Sequence, residues 1–200
     1  MRLIKFFTLI IFLLAANQTI CAAEKNPVRI ACLPIILQRG TPDEETVAAL
    51  EMKMARATNI PLNKTLQVAE YISSEDSTAT LNKIWQRLRS ENKKAKISDA
   101  VKILAKDLDA DLVICPILRR YCEETIPAFG SSLETHLSSD VSAEMIVYDR
   151  RTDELADKKT SKSFHDSYNT LGRASYLAGE CLDNLIAATK LRETIRAISK

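Results

Sequence analysis

Apolar and polar positions along the chain alternate between two regimes. Val28–Ile36 (VRIACLPII) is apolar on both alternating faces, the pattern of a strand covered on both sides, and Asp111–Leu118 (DLVICPIL) repeats it. Between them the spacing is helical. Thr41-Pro42-Asp43-Glu44 supplies an N-cap, a proline at the first helical position and a capping-box glutamate, and the following turns put Val47, Leu50 and Met54 on one face. A second helix is predicted over Thr78–Arg89, with Leu81, Ile84, Trp85 and Leu88 as its stripe. Lys93-Lys94-Ala95-Lys96 reads as a solvated connector, and Ser98-Asp99 opens a third helix that runs to Leu108. Ile60–Tyr71, with Pro61 and alternating Leu62, Leu66 and Val68, suits either a strand or a loop with a short helix.

The second half reads differently. Val141–Asp149 alternates cleanly, Arg150–Asp153 makes a turn, and the lysine-rich Lys158–Phe164 suits an exposed sheet edge. Gly172–Ile198 is predicted as one long amphipathic helix with Ala174, Leu177, Ala178, Cys181, Leu182, Leu185 and Ile186 on its stripe. Arg119–Ser132 reads as a loop, and Tyr121–Ser139 as a connection longer than compact domains ordinarily use. Its content of Tyr121, Pro127, Phe129, Leu133 and His136 makes it the candidate partner-binding loop. The fold predicted is α/β: a single domain over 24–200, with a mixed sheet, helices on both faces and a long C-terminal helix.

Residues 1–23 stand apart. Arg2 and Lys5 precede an apolar run, Phe6–Ala16, which gives way to a polar stretch ending in small residues, the anatomy of a secretory signal peptide. A helix of that length spans about 16 Å against a bilayer core of about 30 Å, so no stable transmembrane anchor is expected after cleavage. Cleavage is expected near Ala22 or Ala23. Cys21 raises the alternative of a lipidated cysteine, although Gln18-Thr19-Ile20 lacks the leucine and small residue of such a site. The predicted location is therefore outside the cytoplasm, periplasmic or extracellular, with outer-membrane association left open.

Composition narrows the partners. The chain has 200 residues, with 28 lysines and arginines against 26 aspartates and glutamates; removing Arg2 and Lys5 makes the two signs equal. A neutral chain with 6% aromatic residues and no basic-aromatic interleaving argues against nucleic acid. Only 4 glycines are present, too few to favour a glycine-rich phosphate loop, and no cofactor motif is read.

Candidate chemistry is sparse. Cys32, Cys115, Cys122 and Cys181 remain after the leader and allow three fully paired disulfide patterns; Cys32, Cys115 and Cys181 also sit where small buried hydrophobes belong. Their spacing contains no Cys-x-x-Cys, so no zinc site is expected. His165-Asp166 resembles a base and its orienter, but neighbours on a strand point to opposite faces. His136 lies in no motif, and Glu123-Glu124 beside Arg119-Arg120 reads as a solvated, locally compensated loop. No catalytic or metal-binding residue is assigned.

Three short stretches carry a family resemblance. Val28-Arg29-Ile30-Ala31-Cys32-Leu33-Pro34 resembles the opening "vaVlpf" strand of bacterial envelope α/β domains of the TolB amino-terminal, curli-assembly lipoprotein and penicillin-binding-protein-activator lipoprotein type. Ala105–Ile114 resembles their "A..LgaD.vi" passage from helix to strand, and Met145–Glu154 their "l.vyD..tGe" hairpin. Asp109 and Asp153 stand where many of these domains have glycine. The resemblance implies an envelope scaffold or assembly role and supplies no catalytic residues. The function expected is an exported, non-enzymatic interaction or assembly protein with a protein partner. The alternative is an extracytoplasmic enzyme or small-ligand-binding protein with a cleft at the strand ends.

Overall fold

A computed structural model describes residues 27–59, 69–127 and 135–198. The central parallel pair is β1 (Val28–Cys32) and β4 (Leu112–Pro127), flanked by β3 (Ala69–Ile72) on one side and by β5 (Thr135–Asp149) and β6 (Glu154–Ser167) on the other. The sheet order is β3-β1-β4-β5-β6, with β4–β5 and β5–β6 antiparallel; the short β2 (Ile36–Leu37) continues alongside β4 beyond β1. The stretch Val28–Ile36 is thus not one strand. Pro34 and Pro116, neither of which has an N–H to give, fall in the same gap in the ladder between Leu33 and Ile36.

Among the described residues five helices cover the two faces. On one lie α1 (Glu44–Thr58), α4 (Ala174–Ala188) and α5 (Leu191–Ile198), packed on Ile30, Leu112, Ile114, Val141, Met145 and Val147. On the other, α2 (Ser74–Glu91) and α3 (Ile97–Asp107) close over Ala31, Val113, Cys115, Ile117 and Ile146. The domain is the mixed α/β sandwich of helix, sheet and helix predicted from the doubly covered runs. β6 is an edge, and its lysines blunt it against further strand addition.

Capping sets the boundaries. The cap of α1 is Asp43, not Thr41: its Oδ1 accepts the Thr46 N–H at 2.6 Å. Ser73 does the same for α2 with Asp76. The predicted single C-terminal helix is two, because Lys190 adopts φ 49° and the Thr189 hydroxyl turns back to donate to the Leu185 carbonyl at 2.8 Å. Leu191 and Ile195 stay fully buried across the break, so the apolar period runs on through it.

Asp109 and Asp153 have φ of 50° and 54°, a region aspartate tolerates better than most residues. Asp109 turns α3 into β4, where its carboxylate meets Arg150 at 2.8 Å and Arg29 at 3.3 Å. Those hydrogen bonds, Arg150 first, hold Asp109 below the usual carboxylate range, as Lys102 and Tyr148 do for Asp153 and the α1 amide of Thr46 does for Asp43. A carboxyl whose folded value is depressed contributes its stability in full above the unfolded value, near 3.8 here, and loses it as pH falls through the lower folded value. Melting temperature is therefore expected to decline on acidification below about pH 4. Asp109→Asn should melt lower than the parent at neutral pH and converge with it at the acid end; parallel curves would remove Asp109 from the acid limb.

Candidate functional site

The largest departure from expectation is the candidate partner-binding loop. Tyr121–Pro127 is the outer half of β4 and Thr135–Ser139 the start of β5, paired residue for residue from Tyr121–Val141 to Pro127–Thr135. With β6 they form a three-stranded extension of the sheet. Phe129 and Leu133 lie outside the described residues, and Pro127 ends β4. The loop reading fails because the alternation here is not apolar against polar: one face of the extension is bare, and polar contacts hold much of the other.

The held face looks toward α4. Tyr121 packs against the core there, and its N–H donates to the Arg39 carbonyl at 3.0 Å, so it is an internal contact and not an exposed anchor. Burial pushes its phenol up. The Glu123 carboxylate accepts the first amide of α4, from Ala174, at 2.6 Å and the Arg173 Nε at 3.3 Å. That is an anion at a helix N-terminus, supplied by a strand. Lys162 reaches Glu180 of α4 at 2.8 Å, and Phe164 lies on Gly172 of the 3-10 turn Thr170–Gly172.

The bare face carries cross-strand rows that register fixes: Arg120–Ser142–Ser161, Cys122–Asp140–Ser163, Glu124–Ser138–His165 and Ile126–His136–Ser167. Ser161, Ser163, His165 and Ser167 are exposed, as are Glu124, Ile126 and His136. Arg120 pairs with Asp140 at 3.6 Å, and the Ser138 Oγ lies 2.9 Å from His165 Nδ1. His136 and His165 are diagonal neighbours on this face, while Asp166 points to the other, so the sequence neighbours His165 and Asp166 do not converge.

A cleft of about 370 Å³ opens at the base of the bare face, where the α2–α3 layer ends. Its floor is Glu144, a carboxylate only 7% exposed. A register shift between Leu118 and Arg120 swings Arg119 onto it at 2.6 Å, and Lys159 approaches from β6 at 3.6 Å. Lys96, Ile97 and Ser98 at the start of α3 form one wall and Trp85 of α2 another. Trp85 and Ile97 also line a smaller groove of about 130 Å³ that continues over Leu33, Pro34, Ile36 and Leu81.

No family model and no curated protein matches the chain. Solved structures do. A hypothetical protein from Chlamydia trachomatis is similar at 12% identity, covering 82% of this chain and 96% of that one, with a TM-score of 0.46. A lipoprotein from Neisseria meningitidis is similar at 15% identity over 84% and 99% of the two chains, with a TM-score of 0.34. The LpoB C-terminal domain from Salmonella enterica is similar at 10% identity over 74% and 90%, also with a TM-score of 0.34.

Among the described residues Cys32, Cys115, Cys122 and Cys181, the possible disulfide cysteines, are present as free thiols. Cys32 and Cys115 are near neighbours in the sheet but face opposite layers, and Cys181 is on α4 and Cys122 on the bare face. Burial pushes the Cys32 thiol up to about 11 and the Cys115 thiol up to about 12, leaving both protonated and unreactive at neutral pH. Among the described residues no group of three or more histidines, cysteines and carboxylates is placed to hold a metal ion, and no helix is long and apolar enough to cross a membrane.

Arg119, Glu144, Lys159 and Trp85 as a group were not visible in the sequence. The available signal was Glu144 itself, a charge set between Ala143 and Met145 in an otherwise covered strand. A carboxylate there demands cationic partners, and the structure supplies two.

Proposed function

We propose that the chain is an exported, non-enzymatic interaction or assembly protein of the cell envelope that works by holding a protein partner. The observation that carries this reading is the bare face of the β4–β5–β6 extension: exposed, mainly polar rows on a hydrogen-bonded sheet, with no helix of the described residues laid over them. Residues 1–23 are the proposed signal peptide, and 24–200 the mature domain. The resemblance to TolB-type and lipoprotein envelope domains gains support from Asp109 and Asp153, whose positive φ suits the glycines that family carries there.

A photo-crosslinking residue placed at Ser138 or Ser163 should yield a discrete adduct with one envelope protein, and the same residue at the exposed Lys83 of α2 should not. His136→Ala, His165→Ala and Cys122→Ala should each leave the cellular phenotype largely intact, because binding energy is spread over an interface while acid-base or covalent chemistry concentrates in single groups. Loss of function from one of these three, with an unchanged melt, would move the enzyme reading to first place.

A further inference from the structure

We propose that the cleft floored by Glu144 is a binding site for a small amphipathic anion: an anionic head on an aliphatic arm of several carbons. It stands apart from any protein partner, being a concavity and not a face.

The polar end is built for negative charge. Lys96, Arg119 and Lys159 converge on the cleft against Glu144 and Asp157. Both acids are already engaged: Glu144 takes Arg119 at 2.6 Å and Lys159 at 3.6 Å, and Asp157 shares Lys159 at 3.5 Å. Glu144 thereby holds two cations in place along the wall, each with donors to spare, since a guanidinium carries five and an ammonium three. Lys96 has no acidic partner among the described residues. It is also the N-cap of α3, where its side chain offers no acceptor to the first-turn amides. Asp99 is turned back onto the Lys96 N–H at 3.0 Å, and the Asp99 N–H goes to the Lys96 carbonyl at 3.1 Å. The Asp99 carboxylate answers the helix start, so the positive excess of the cleft rests on its three lining cations against two lining acids.

The apolar end fixes the rest of the molecule. The groove over Leu33, Pro34, Ile36 and Leu81 shares the lining residues Trp85 and Ile97 with the cleft, and its walls are predominantly aliphatic. The volume of the cleft falls in the range of small-molecule sites, roughly 300–1,000 Å³. A head at Lys96 and Arg119 would direct its arm past the indole and into the groove.

Trp85 is the single tryptophan of the chain and lines both ends, so its fluorescence reports on the site directly. Titration of the full chain with octanoate should give a saturable change that weakens with added sodium chloride. Acetate, which lacks the arm, and octanol, which lacks the charge, should give none at the same concentrations. Octyl phosphate run in parallel identifies the head the site prefers, and saturation by either anion supports the proposal. Lys96→Ala and Lys159→Ala, both at exposed positions and checked by an unchanged melt, should each weaken binding about tenfold. Octanol binding as well as octanoate would reduce the site to an apolar slot and overturn the proposal. So would the absence of saturation with both anions, or affinity unchanged in both lysine variants.

Discussion

Val113→Asp and Ile30→Asp are expected to abolish the cooperative melt of the domain. Both side chains are fully buried, Val113 beneath α2 and α3 and Ile30 beneath α1 and α4, so the two substitutions test the two layers separately. A carboxylate there has no cation to pair with in either cluster. An uncompensated buried charge costs several kcal/mol, against a total stability of about 5–15 kcal/mol for a domain of this kind. Ser161→Asp, on the exposed face of β6 and opposite Ser142, is the matching control and should melt close to the parent. Circular dichroism on the three variants decides the matter; a Val113→Asp melt within a few degrees of the parent would remove β4 from the core.

Gly40→Ala should destabilise by roughly 2–4 kcal/mol, the combined cost of one strained residue and one lost backbone hydrogen bond. Gly40 has φ +89°, and a Cβ added there would stand 1.9 Å from the Tyr121 carbonyl oxygen and 2.9 Å from its carbon. The obstacle is backbone of β4, which has no rotamer to yield. The contact cannot loosen without also breaking the Tyr121 N–H to Arg39 carbonyl bond that pins the β2–α1 connection onto the sheet. Gly179→Ala gives the opposite sign: in α4 the nearest outside atom is Lys53 Nζ at 3.5 Å, ordinary contact, and a helical glycine replaced by alanine gains roughly 0.5–1 kcal/mol. Denaturant midpoints should rank Gly179→Ala above the parent and Gly40→Ala well below it. Equal midpoints would mean the β2–α1 connection is free of the sheet.

What was legible in the sequence is what burial writes into composition. β1 and β4 are covered on both faces at their centres, so Ile30–Ala31 and Leu112–Cys115 read as unbroken apolar runs. The edge character of β6 could be read from its lysines. The outer half of β4 could not, because Arg120, Cys122 and Glu124 look outward while Glu123 meets a helix end, leaving no apolar stripe to count. The α4–α5 break was hidden for the converse reason: Ile195 and Ile198 keep the helical period after Lys190 has interrupted the backbone. The cleft draws Trp85, Lys96, Arg119, Glu144 and Lys159 from five elements and connectors, and its assembly depends on a one-residue register shift that no spacing rule reveals.

The parallel pairing of β1 with β4 brings together residues 82 apart in the chain, as the Arg29 N–H to Asp111 Oδ2 bond shows. The turn that joins β5 to β6 closes over only Arg150–Asp153. By the logarithmic rule for loop closure, the long contact costs about 3 kcal/mol more chain entropy than the short one. The meander of β4, β5 and β6 is therefore the inexpensive part of the architecture to assemble, and the N-terminal strand is the element whose docking waits on the rest. Since that strand is central, the sheet stays open down its middle until it arrives, with the Leu112 edge of β4 unpaired in the interval. The order of assembly thus runs against the order of the chain.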